Sequence, residues 1–242
     1  MAKAWWESFF DKEMGEVMVP EQAWQQAEEL CGPLLQLLNL QPGAKILDLA
    51  CGPGRFALPL AKRGFCVVGF DLASVYLEQA RKKAQEQGLF IELVQGDMRE
   101  IPFEDEFDAV INMFTSFGYF DDERDHLKVL QGVHKSLKPG GRFLMDTINR
   151  EWLIRHFQPH DWQECSDFIL LEDRKFNAEG DRVEAKRIKL SRDGQRREYT
   201  LSLRFFTLAE LLNLFSQAGL KVLGYYGDLM GNPWDWIQDG SS

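Results

Sequence analysis

Residues 46–61 read ILDLACGPGRFALPLA. The run Ile46 to Leu49 is apolar except for Asp48, as a buried strand requires. Gly52 and Gly54 follow, and Ala57 completes a G-x-G-x-x-A spacing where a helix begins. Glycines at such a turn let the backbone bend tightly and approach a ligand closely. A turn from strand to helix is where α/β sheets hold nucleotide-like ligands. The fold depends on whether the rest of the chain repeats this unit.

The strand–turn–helix pattern recurs through residue 150. KILDLA, CVVGFD, FIELVQGD, EFDAVINM and RFLMD read as five strands. Helices are expected at 55–63, at 73–87 before Gly88, and at 123–137 before KPGG. Apolar strand cores alternating with helices predict an α/β, doubly wound, mostly parallel sheet. Upstream, a helix is expected over 21–39, with Pro33 kinking or dividing it.

The pattern changes after residue 150. A short helix at 151–157 precedes DFILLEDRKF, RVEAKRIKL and REYTLSLRFF, which are joined by NAEGD and SRDGQ. These three runs predict an inserted antiparallel β-meander, with Tyr199, Leu201, Leu203 and Phe205 on one face. TLAE at 207–210 is a capping box that starts a helix to Ala218, and LKVLGYYGD is expected as a late strand. The chain thus divides into an N-terminal helical cap (1–40), an α/β core (41–150), an inserted helix with antiparallel strands (151–206), and a return to the core (207–242). The tail GNPWDWIQDGSS, with Trp236 and Ile237, is too short and turn-rich to promise a further strand.

Composition narrows the function. The 242 residues carry a net charge of −10 and a pI of about 5.0, which disfavours the broad basic face that nucleic acid needs. Cys31, Cys51, Cys66 and Cys165 form no C-x-x-C pair and have no histidines at zinc spacing, so no metal is expected. The chain shows no signal-peptide core and no apolar run long enough for a membrane span. The expectation is a cytoplasmic protein, monomer or homodimer, with a small-molecule partner.

The glycine turn suits either a dinucleotide or S-adenosylmethionine. Three residues favour the latter. Asp48, just before the turn, would repel a pyrophosphate but attract an ammonium or sulfonium. Pro53 brings no N–H to a loop where phosphate needs donors. Asp97 ends the third strand, placed to accept from an adenine amine. Asp71 ends the second, where a carboxylate can hold the ribose hydroxyls of either ligand.

Taken in order, ILDLACGPGRFALPLA, VVGFD, VQGDMREIPF, FDAVINMFTSFGYF and LKPGGRFLMD resemble the motif series of class I S-adenosylmethionine-dependent methyltransferases. SFGYF, the meander and RFFTLAELLNLFSQAGL resemble the small-molecule branch that includes glycine and amino-sugar N-methyltransferases. The resemblance implies methyl transfer to a nitrogen or oxygen of a small molecule. It implies cofactor contacts from Asp48, Ala50, Cys51, Gly52 and Gly54, from Asp71 and Leu72, from Asp97 and Met98, and from Asn112, Met113 and Phe114 at the fourth strand end. Phe117, Tyr119, Asp146 and His156 are the expected substrate pocket, with His160 within reach of it. Tyr119 is the first catalytic candidate, as a hydrogen-bond partner more than a proton acceptor. Trp5, Trp6 and Trp24 are read as packing rather than lid, and His126 and His134 as solvated on a surface helix. An NAD-dependent oxidoreductase and a non-catalytic S-adenosylmethionine-binding protein are the competing readings.

Overall fold

The computed structural model describes residues 4–11, 14 and 20–234. Five strands form a parallel sheet: β1 (Lys45–Leu49), β2 (Cys66–Asp71), β3 (Glu92–Gln95), β4 (Phe107–Asn112) and β5 (Leu137–Met145). Their spatial order is β3-β2-β1-β4-β5. The order reverses at β1, so a crevice opens beyond the carboxyl ends of β1 and β4.

Helices cover both faces because the strands are apolar on both. On one face α2 (Glu21–Leu38), α3 (Ala57–Lys62) and α4 (Ser74–Glu86) bury Cys31, Leu34, Leu58 and Ala80 against Ile46, Val67 and Ile111. On the other, α5 (Glu123–Ser136) and α7 (Leu208–Gln217) bury Val129, Leu130, Val133 and Leu214 against Leu47, Leu49, Val68 and Val110. Pro33 lies inside α2, which runs through it as one helix. Trp24 packs with the first cluster.

The chain between Met145 and α7 forms a short helix, α6 (Arg150–Arg155), and a separate antiparallel sheet. That sheet has four strands rather than the three expected: β6 (His160–Glu164), β7 (Phe168–Phe176), β8 (Arg182–Ser191) and β9 (Arg196–Arg204), in that order. The extra strand, HDWQE, is polar and exposed throughout, so it carries no apolar alternation that could mark it. The inner face of the sheet packs against the N-terminal helix α1 (Trp5–Phe9). Phe9, Met14 and Tyr199 are buried together there, with Trp5, Phe10 and Leu201 around them.

A second difference lies after α7. Residues 220–225 form no strand, and the segment beyond shows only an isolated bridge between Tyr226 and Pro233. Leu223, Tyr225 and Tyr226 are exposed. The apolar spacing was suited to a strand, but a strand also needs a ladder partner, and none pairs with the outer edge of β5 among the described residues. The tail 235–242, with Trp236 and Ile237, lies outside the described residues.

Candidate active site

The site begins with a turn that the sequence could not straighten. Ala50 adopts φ 60°, Gly52 φ 55° and Gly54 φ 87°. The Ala50 and Cys51 N–H groups donate to the Phe70 carbonyl at 2.8 and 3.2 Å. The Asp71 carboxylate accepts from Gly52 N–H and Ala73 N–H, both at 2.8 Å. A Cβ on Gly54 would lie 3.2 Å from the Ala80 Cβ of α4, so this glycine also lets α4 pack close. Phe114 (φ 54°) and Thr115 (φ 57°) repeat the left-handed conformation at the end of β4. Left-handed non-glycine residues are costly and gather where function holds them.

Beside this turn lies a cavity of about 160 Å³. Asp48, Ala50, Cys51, Gly52, Asp71, Leu72, Asp97, Met98, Met113 and Phe114 line it, together with Pro53, Arg55 and Tyr119. Trp6, Phe10 and Phe120 close it on the side of the N-terminal helix. Asn112 is buried beneath; its Nδ2 donates to the Leu49 carbonyl at 2.9 Å and its Oδ1 has no partner. Trp6 is therefore a wall residue, which its reading as plain packing did not anticipate.

Electrostatics distinguish the acidic residues. Asp48 is 3% exposed and its Oδ2 has no hydrogen-bond partner. Burial, with Asp71 adding to it, pushes the Asp48 carboxyl up to about 7, while Arg55 opposes. Asp71 is also raised by burial, against its backbone donors. Burial acts the same way on Asp97, but the Arg99 hydrogen bonds outweigh it and hold the carboxyl below its ordinary range; Arg99 Nε sits 3.0 Å from both oxygens.

Arg55 escaped the sequence reading. Its guanidinium carbon lies 3.4 Å over the Phe114 ring. Burial lowers its pKa to about 10, opposed by the charges of Asp48 and then Asp146. Its position one residue after the G-x-G was the one signal available.

A larger open cleft of about 1980 Å³ adjoins the first, sharing Phe10, Phe114 and Tyr119. Trp5, Phe9, Asp146, Thr147, Asn149, Trp152, Arg187, Leu201 and Leu203 line its near part, and it continues along the β5 edge. Asp146 Oδ2 accepts from Phe114 N–H at 2.9 Å; burial raises its pKa, opposed by that bond and by Arg55. Tyr119 stands edge-on to Trp5 at 5.4 Å, and burial pushes its hydroxyl up to about 12.

Four expectations need correction. Phe117 lines neither cavity; it is 1% exposed and packs on His126 and Phe206. His126 is not solvated but fully buried, with no hydrogen-bond partner for either ring nitrogen. His156 is stacked on Trp152 at 4.6 Å and lines neither cavity. His160 is exposed on β6, 3.1 Å from Asp173.

The inserted sheet is anchored to the loop that follows β4. Arg204 N–H donates to the Gly118 carbonyl at 2.9 Å. The approach is so close that a Cβ on Gly118 would lie 2.3 Å from the Arg204 oxygen. Arg182 also bonds the Phe120 carbonyl.

Residues 46–141 match a family described as a methyltransferase domain. Beyond this segment, the cypemycin N-terminal methyltransferase of a Streptomyces is 28% identical over 203 residues, covering 79% of this chain and 78% of its own. The solved S-adenosylmethionine-dependent methyltransferase of Clostridium acetobutylicum superposes with a TM-score of 0.79 at 20% identity, covering 91% of this chain and 90% of that one. The S-adenosylmethionine-bound amino pentose methyltransferase CalS10 of Micromonospora echinaspora gives 0.65 at 22%, covering 86% and 87%. At these identities the structures establish the fold alone, a Rossmann-like methyltransferase fold. The chain spans 60% and 44% of the lengths of relatives from Geobacillus and Bacillus subtilis that match at 34% and 38% identity.

Proposed function

We propose that the protein transfers a methyl group from S-adenosylmethionine to a nitrogen or oxygen of a small molecule by in-line displacement. The buried Asp48 carboxylate, with one oxygen unpartnered beside the glycine turn, carries this reading. A carboxylate there suits a ligand bearing an ammonium and opposes one bearing a pyrophosphate. The cofactor, when bound, supplies the electrophilic methyl sulfonium; the protein supplies alignment and a dry site.

Residue roles follow from position. Asp71 spends one lone pair per oxygen on Gly52 and Ala73 and keeps others for ribose hydroxyls. Leu72, Met98 and the Asp97–Arg99 pair serve the adenine. Ala50, Cys51, Gly52 and Gly54 bring backbone close to the cofactor, with Asn112, Met113 and Phe114 toward the methyl. Phe114 and Tyr119 wall both cavities, so the acceptor enters from the larger one, past Asp146. Tyr119 holds its proton at neutral pH and serves as a hydrogen-bond partner, not as the base.

The inserted sheet roofs that entrance and sets substrate choice. Two relatives are named for an N-terminus and an amino pentose, which supports an amine acceptor. Four free cysteines suit a reducing, cytoplasmic setting. Among the described residues no helix is long and apolar enough to cross a membrane.

The test is thermal shift with S-adenosylhomocysteine against NAD, since a ligand that binds only the native state raises its melting temperature. The homocysteine ligand is expected to stabilise and NAD not; the reverse sinks the reading. A methyl-donor turnover screen over amines and hydroxyl compounds then tests catalysis.

A further inference from the structure

The polar strand β6 is one of the two edge strands of the inserted sheet among the described residues, and an open edge invites pairing. Arg174 N–H donates to the Pro159 carbonyl at 2.7 Å and Cys165 N–H to the Phe168 carbonyl at 2.9 Å. Antiparallel hydrogen-bonded pairs recur every second residue. Asp161 and Gln163 therefore turn their main-chain groups toward β7, and His160, Trp162 and Glu164 turn theirs outward.

The side chains of those outward residues share a face with an apolar row. Trp162 pairs with Leu171, and Leu171 with Ile188. Trp162 is 66% exposed and Leu171 37%; Ile169, beside them, is 38% exposed. This face points away from α1, which the opposite face buries. A row of apolar side chains that runs to an open sheet edge leaves its last member, Trp162, mostly uncovered.

We propose that two copies of this chain join along β6, antiparallel about a two-fold axis at Trp162. The sequence HDWQE is complementary to itself in that register. Trp162 faces Trp162 of the second copy, His160 faces Glu164, and Asp161 faces Gln163. The apolar row Ile188–Leu171–Trp162 then continues unbroken across the axis, flanked on both sides by a His–Glu pair. An isologous contact of this kind closes on itself, so it yields a dimer and not a fibre. In the single chain the Trp162 N–H is held by Asp161 Oδ1 at 2.8 Å; pairing exchanges that bond for a main-chain carbonyl and frees Asp161 to meet Gln163. The inserted sheets of the two copies become one eight-stranded sheet.

Sedimentation velocity of the full chain tests this. Wild type is expected at twice the chain mass of 28.0 kDa at micromolar concentration. Trp162→Glu, which sets two like charges on the axis, is expected to sediment as the monomer with an unchanged far-ultraviolet spectrum. A second measurement does not depend on that variant folding. Trp162→Cys in a Cys66→Ser/Cys165→Ser background should form an intermolecular disulfide under mild oxidation, because directly opposed pairs lie within disulfide reach. A wild type that remains monomeric, a folded Trp162→Glu variant that remains dimeric, or a dimer that fails to cross-link overturns the proposal.

Discussion

The Asp71 carboxylate accepts a hydrogen bond from the Gly52 N–H at 2.8 Å, linking the end of β2 to the turn after β1. One side chain thus shapes the glycine turn and faces the cavity. Asp71→Ala removes that acceptor, the one for Ala73, and two proposed ribose bonds; hydrogen bonds to a charged group are worth ~1.5–3 kcal/mol each. S-adenosylhomocysteine affinity should fall tenfold or more, with a lower melting temperature. Unchanged affinity by calorimetry would remove Asp71 from the ligand site.

Asp48 makes a pH prediction of definite sign. Its folded pKa, about 7, lies above the ordinary aspartate value of 3.8, so its contribution to the ligand-free fold is full below about 4 and is lost as pH rises to about 7. At ~1.4 kcal/mol per unit, the loss is on the order of 4 kcal/mol. Asp48→Asn should remove this dependence and raise the ligand-free melting temperature at pH 8. The same change should weaken S-adenosylhomocysteine, because the ammonium loses its counter-charge. Parallel gains in stability and affinity would contradict the assignment.

His126 makes the opposite prediction. Burial first, then Arg204 and Arg182, lower its pKa to about 4 from 6.5. Its contribution is full above 6.5 and is lost as pH falls toward 4, by about 3 kcal/mol. His126→Leu keeps the apolar packing and should flatten the acid limb of the melting curve between those values. An unaltered acid limb would show that His126 becomes accessible before it titrates.

Tyr119→Phe tests a role as base. With the hydroxyl pushed up to about 12, the phenolate is scarce at neutral pH. Turnover should fall by about tenfold, the cost of one hydrogen bond at ~1.4 kcal/mol. A collapse of several thousandfold, with a rate that follows phenol ionisation, would make Tyr119 the base after all.

Replacing the inserted sheet with a short linker should abolish turnover yet leave S-adenosylhomocysteine binding within about tenfold, ~1.4 kcal/mol. Since α1 rests on β9, the smaller cavity should also become more open, visible as faster ligand exchange. Normal turnover of the same substrate would refute the roof.

Much of the architecture is written locally. The alternation of apolar strand cores with helices fixed β1 to β5 and their parallel course, because backbone periodicity needs only neighbouring residues. The Thr207–Glu210 capping box was legible for the same reason and is formed on both sides. The glycine turn announced itself because few residues tolerate its conformation. Other features depended on what arrives from far along the chain. His126 looks like a surface residue until Phe117, Phe120 and Phe206 enclose it. Arg55 gains meaning only once the fold sets it over Phe114 and in the field of Asp48 and Asp146, which lie far apart in the chain. Strand β6 has no apolar alternation and exists because β7 offers a ladder. Residues 220–225 have the spacing of a strand and lack the ladder. Periodicity belongs to the local chain, whereas burial, pairing and the pKa of a buried group are properties of the neighbours that the tertiary fold supplies.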